Sequence, residues 1–130
     1  MNSKSYIEWA KNYVALSNKH DLRELEVMFL GSAIYHSDYF GEYKGSVAIR
    51  EMMASFFARY PDAHWEVTEY RALDDNGVEF DFLMTGTDAA AGEPVRRHGR
   101  ERIYFEPDGL ISRIHVYKPD EYESGVETGP

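Results

Sequence analysis

The amino-acid sequence predicts an α+β fold: a cone of N-terminal helices packed on one face of a curved, mostly antiparallel sheet. Three observations carry this. Apolar residues recur at three- and four-residue intervals up to Tyr60, and at two-residue intervals from Trp65 onward. Two turn signals, Asp74-Asp75-Asn76-Gly77 and Pro107-Asp108-Gly109, punctuate the second half. The 130 residues are 43% hydrophobic, enough for one domain with its own core.

The first predicted helix opens at Ser5, which has capping-box spacing to Glu8. Tyr6, Trp9, Ala10, Tyr13 and Leu16 form its aromatic stripe. The second starts at Asp21, a good N-cap, with Glu24 three residues on. Leu22, Leu25, Met28 and Phe29 are its apolar face, and Gly31 is expected to end it. The third has the strongest periodicity, through Ile49, Met52, Met53, Phe56, Phe57 and Tyr60, and Pro61 stops it.

Strands follow. Trp65 to Tyr70 alternates, and Val78 to Thr87 sets Phe80, Phe82 and Met84 against Glu79, Asp81, Leu83 and Thr85. After the loop Asp88 to Pro94 come a long strand, Arg96 to Glu106, and a last one, Leu110 to Tyr117. These make a four-stranded curved sheet. The earlier stretch "AIYHSDYF", residues 33–40, reads as the end of a short first strand at the pocket rim. There Ile34 and His36 are expected to face inward and Tyr35 outward, with the loop Asp38 to Lys44 as a partial lid. Residues 1–120 are expected to form a single domain and 121–130 a flexible tail.

The formal net charge of −9 argues against nucleic acid or an anionic membrane as a partner. There is no cysteine, hence no disulfide and no thiolate metal site. No apolar run approaches the roughly 20 residues of a membrane span, and no signal-peptide core is visible, so a cytoplasmic protein is expected. No His–carboxylate set has metal-ligand spacing along the chain, so neither metal nor cofactor is expected. Seven Phe, ten Tyr and two Trp exceed the needs of a small core and suggest an aromatic-lined cavity or an oligomer interface.

The segments "YVALSNKHDLRELEVMF" and "AIYHSDYFGEYKGSVAIREMMASFF" resemble the start of the nuclear transport factor 2-like superfamily. "GRERIYFEPDGLISRIHVYKP", Gly99 to Pro119, resembles its last hairpin. The enzymes most resembled are SnoaL-like polyketide cyclases and ketosteroid isomerases, and the resemblance runs over roughly residues 5 to 119. It implies the cystatin-like cone, a hydrophobic small-molecule ligand and a homodimer through the outer sheet face. Tyr104 and either Trp65 or Tyr70 are expected on that outer face.

The resemblance also implies site residues. Tyr13, eight residues before Asp21, stands at the oxyanion-hole tyrosine, and Glu101, four before Phe105, at the second acid. His36, nine before Gly45, stands at the general base. An alignment anchored on the second helix brings Ser37 there instead. Asp81 and Asp38 are further alternatives.

Strand alternation agrees for one of them. Glu101 shares a face with Ile103 and Phe105, so it turns inward, where a carboxyl without a cation becomes a hydrogen-bond donor. Trp9, Phe56, Phe57, Phe80, Phe82, Met84 and Ile103 are the expected pocket walls. Proton-transfer enzyme, non-catalytic binding module, and dehydratase or epoxide hydrolase all remain open at this point.

Overall fold

Asp21 starts the second helix as its sequence position requires, its carboxylate accepting the Glu24 N–H at 3.1 Å. The computed structural model describes residues 3–119; the expected tail, 121–130, lies outside them. The elements are α1 (Ser3–Asn18), α2 (Leu22–Val27), β1 (Phe29–Ser37), β2 (Gly41–Lys44), α3 (Ser46–Arg59), β3 (His64–Ala72), β4 (Gly77–Asp88), β5 (Glu93–Phe105) and β6 (Ile111–Tyr117). Helix α1 begins at Ser3, so the Ser5–Glu8 spacing lies inside its first turns and does not form its cap.

One six-stranded sheet, in the order β2-β1-β6-β5-β4-β3, replaces the expected four strands. Neighbours are antiparallel except β1 and β6, which run parallel. Of the two strands beyond those four, β1 takes in the short first strand expected at 33–37 and begins earlier, in residues read as the end of a helix, while β2 comes from residues read as a loop. Helix α2 stops at Val27, and Gly31 falls within β1 and does not cap the helix. Tertiary pairing decides this: the Met28 carbonyl accepts the Ile111 N–H at 2.8 Å, and the Phe29 ring packs edge-on against Tyr13. The stretch 38–44, expected as a loop, is a tight turn followed by β2, which pairs back along Ile34–Ser37.

The core lies between α1, α3 and the inner sheet face. Ala10, Tyr13, Leu25, Ile49, Phe80, Ile103, Phe105, Ile111 and Ile114 are buried there. Trp9 packs on Tyr6 and Phe105 at the end where Gly109 turns. A bulge in β3 between Val67 and Tyr70 shifts its register. Trp65 and Tyr70, of opposite parity, therefore both face inward: Trp65 stacks on Phe56, and Tyr70 packs on Phe80. The expectation that one of them lies on the outer face is corrected by that extra residue.

The outer face of β3, β4 and β5 carries charge. Glu79 takes Arg71 at 3.0 Å and Arg102 at 2.8 Å, while Asp81 takes Arg100 at 2.6 Å and Arg71 at 3.1 Å.

Gly99 in β5 fixes how Phe82 lies. A Cβ there would sit 2.5 Å from the Phe82 ring and 3.1 Å from the Tyr117 carbonyl oxygen. Gly99→Ala should therefore push the ring toward the interior and destabilise the fold by about 1–3 kcal/mol, measured by urea unfolding. Combined with Phe82→Leu, the two effects should be less than additive; full additivity would show that the ring and the glycine are not coupled.

Candidate active site

Strand β1 decides which groups reach the interior. Its inward side carries Ala33, Tyr35 and Ser37; Ala33 is fully buried and its carbonyl accepts the Gly45 N–H at 2.7 Å. Ile34 and His36 do share a side, but it is the outer one. The expected phase is reversed because Tyr35 pairs with the fully buried Ile114 of β6, while Ile34 and His36 lie beside Arg113 and His115. His36 faces Asp38 at 3.2 Å and Glu42 at 3.4 Å, with its side chain 33% exposed.

Between α1, α3 and the sheet lies a cavity open at one end. It is lined by Tyr13, Val14, Ser17, Tyr35, Ser37, Tyr39, Phe40, Met52, Met53, Phe56, Phe57, Trp65, Phe80, Phe82, Met84, Arg97, Glu101 and Val116. Centres of water-sized molecules can occupy about 70 Å³ of it, against the roughly 10–15 Å³ that one water needs. Of the expected walls, Phe56, Phe57, Phe80, Phe82 and Met84 line it. Trp9 and Ile103 do not: Trp9 is held at the far end by Phe105, and Ile103 is sealed in the core beneath.

The candidate polar residues divide between the two faces. Tyr13, Glu101 and Ser37 reach the cavity, whereas His36, Asp38 and Asp81 are outside it. Asp81 is engaged by Arg100 and Arg71, and Asp38 meets His115 at 3.3 Å. Ser37 is buried, and its Oγ accepts the N–H groups of Tyr39 at 3.0 Å and Phe40 at 3.2 Å. That use makes it a turn-forming residue with its lone pairs committed. Sequence reasoning missed Tyr35, Ser17 and Arg97. The alternation of β1 could have found Tyr35, had its phase been set by Ala33.

Glu101 dominates the electrostatics. It is 6% exposed, its Oε2 has no hydrogen-bond partner among the described residues, and burial pushes its carboxyl up to about 8. Among the described residues no cation pairs with it. Arg97 instead donates to the Tyr60 hydroxyl at 3.1 Å and lies over the rings of Tyr39, Phe40 and Tyr60 at the mouth. Burial, and after it the Glu101 charge, raises Tyr13 and Tyr35 well above the usual tyrosine value. All three groups are therefore neutral near pH 7, and each has an O–H to donate. An apolar chamber with three such donors suits a ligand oxygen that gains negative charge.

A model of the SnoaL-like domain family matches residues 10–114. Solved structures superpose closely. SalBIII, described as an epoxide hydrolase/cyclase-like enzyme in pyran ring formation in polyether salinomycin, gives a TM-score of 0.81 at 18% identity, over 89% of this chain and 92% of that one. An uncharacterised cystatin-fold protein from Novosphingobium aromaticivorans gives 0.76 at 23% identity, over 87% and 97%. A ketosteroid isomerase-like fold from Catenulispora acidiphila, in complex with trimethylamine, gives 0.76 at 17% identity, over 85% and 84%. At these identities the likeness is one of fold. No curated protein matches the chain.

Glu101 should leave a mark on stability. Its pKa is about 8 in the folded chain against roughly 4.3 for a free Glu side chain. Its contribution is therefore complete below the unfolded value and is lost as pH rises through the folded one. Across that window wild-type stability should fall by about 1.4 kcal/mol per pH unit from this group alone. Glu101→Gln should remove that slope in urea-unfolding series between about pH 5 and pH 8. Parallel pH profiles for the two proteins would show that the carboxyl titrates normally.

Proposed function

The chain belongs to the SnoaL-like domain family, and from that premise we propose that it is an enzyme of proton transfer, acting on a hydrophobic small molecule that carries a carbonyl or comparable oxygen. The observation that carries this reading is the protonated, uncompensated Glu101 carboxyl in an apolar cavity, with the Tyr13 and Tyr35 hydroxyls beside it in the lining.

The substrate's ring or chain sits among Phe56, Phe57, Phe80, Phe82 and Met84, where only apolar contact is offered. Its oxygen turns toward Glu101, Tyr13 and Tyr35. As that oxygen gains charge, the tyrosines stabilise it by hydrogen bonds undiluted by bulk water. Glu101 delivers its proton to the oxygen as general acid. The carboxylate left behind is a strong base, because the cavity gives it no cation and little solvent. It recovers a proton from the substrate, and one residue serves both halves of an isomerisation or a ring closure. The same acid could assist epoxide opening, which gives the SalBIII likeness its bearing as a second reading.

Arg97 at the mouth, held by Tyr60, gives a substrate's polar end a place to emerge. Trp65 in the wall offers a direct report of occupancy.

Hydrophobic ketones and epoxides can be screened by quenching of tryptophan fluorescence, and the ligands found then assayed for turnover. Glu101→Gln should bind such a ligand while turnover falls by about 10²–10⁴-fold. Tyr13→Phe should lower turnover by a smaller factor. Asp81→Asn, on the outer face, should leave turnover unchanged. Turnover by Glu101→Gln at the wild-type rate would overturn the proposed mechanism; a ligand bound but never turned over would favour a binding module.

A further inference from the structure

On the sheet face away from the cavity, His36, Asp38 and Glu42 meet His115, which is far from them in sequence. Glu42, His36 and His115 are paired across β2, β1 and β6, forming one row. Asp38, just past the end of β1, is tied back to β6 by its N–H to the Val116 carbonyl at 2.9 Å. The Asp38 Oδ1 lies 3.2 Å from the His36 Nε2 and 3.3 Å from the His115 Nε2. A tetrahedral ion with bonds of about 2.0–2.1 Å needs its ligand atoms roughly 3.3 Å apart. One ligand atom from each of the three residues lies within 4.8 Å of the others.

With His36 neutral, hydrogen bonding alone leaves this cluster unbalanced. His36 has a carboxylate at each ring nitrogen, Glu42 at Nδ1 (3.4 Å) and Asp38 at Nε2. A neutral imidazole has only one N–H to give. The other Asp38 oxygen, Oδ2, is buried without a hydrogen-bond partner among the described residues. A cation between the Nε2 atoms and the carboxylate would take the lone pair of His36 Nε2 and set a positive charge beside the buried Asp38 carboxylate. His36 then keeps its proton on Nδ1, facing Glu42, which is how carboxylates orient metal-bound histidines. The His115 ring is already fixed, stacked on Tyr117 at 3.8 Å and 3°.

We propose that His36, Asp38 and His115 bind a divalent transition-metal ion, with Glu42 orienting His36. Two imidazoles and one carboxylate suit Zn²⁺ and its first-row neighbours better than Ca²⁺ or Mg²⁺, which favour oxygen ligands. The site is independent of the cavity and joins β1 to β6. His36 and His115 are partly exposed, which leaves an open coordination position for water or a fourth ligand.

Calorimetric titration of the chelator-washed full chain with ZnCl₂ tests this. One Zn²⁺ should bind per chain and raise the melting temperature. His115→Gln and Asp38→Asn should each weaken binding at least about tenfold, and Glu42→Gln about tenfold. His64→Gln, at an exposed histidine of β3, should bind as wild type does. Co²⁺ should give visible absorption bands of a four-coordinate site, lost in His115→Gln. Circular dichroism of His115→Gln should match wild type, so that a loss of binding there reports the ligand rather than the fold. No stoichiometric Zn²⁺ binding, or equal binding by wild type, His115→Gln and Asp38→Asn, would overturn the proposal.

Discussion

Strand β5 has to carry a carboxyl into the interior without bringing a cation along, and much of the architecture follows from that constraint. Its inward side reads Gly99, Glu101, Ile103, Phe105, all buried. The arginines on either side of Glu101, Arg100 and Arg102, alternate outward and are taken up by Asp81 and Glu79. Charge is thus sorted by the pleat: these pairs form on one face, and Glu101 stays on the other. Burying an ionised carboxyl alone would cost several kcal/mol, so Glu101 keeps its proton instead. Tyr13, Tyr35 and Tyr70 surround it with hydroxyls, and its charge would raise each of them in turn.

The glycine two residues before Glu101 is part of the same arrangement. Without a side chain at Gly99, the Phe82 ring can lie across β5, and the cavity acquires an aromatic wall close to the acid. Shape and electrostatics are therefore set by adjacent inward positions of one strand. Arg97, on the same strand nearer the mouth, is drawn off to Tyr60 and does not neutralise Glu101.

Local rules made much of this legible. Helix α3 is readable from its periodicity, strands β4 and β5 from alternation and from the turns before β4 and after β5, and the inward direction of Glu101 from Ile103 and Phe105 beside it. Strand β1 is different. "SAIYHS" alternates, but either phase offers plausible inward residues, Tyr35 or His36. The choice is made by Ile114 and His115, on a strand far along the chain. The end of α2 is also settled from outside, by Ile111 pairing with Met28 and Phe29. Tyr70 escapes the parity rule because β3 holds an extra residue that no local signal marks. What the sequence hides is consistently what a distant strand determines.

The parallel pairing of β1 with β6 also bears on how the chain is made. Asp38 and His115, in contact across those strands, are 77 positions apart. A ribosome releases the β1–β2 hairpin long before its neighbour exists, at roughly 5–20 residues per second. Until β6 arrives, one edge of β1 stays unpaired, and such an edge can recruit strands from other chains. Closing so long a loop carries an entropic cost before any contact repays it, which slows folding. Strand β6 thus acts as the latch of a nascent chain, and the hazard of misassembly is concentrated in the interval before it closes.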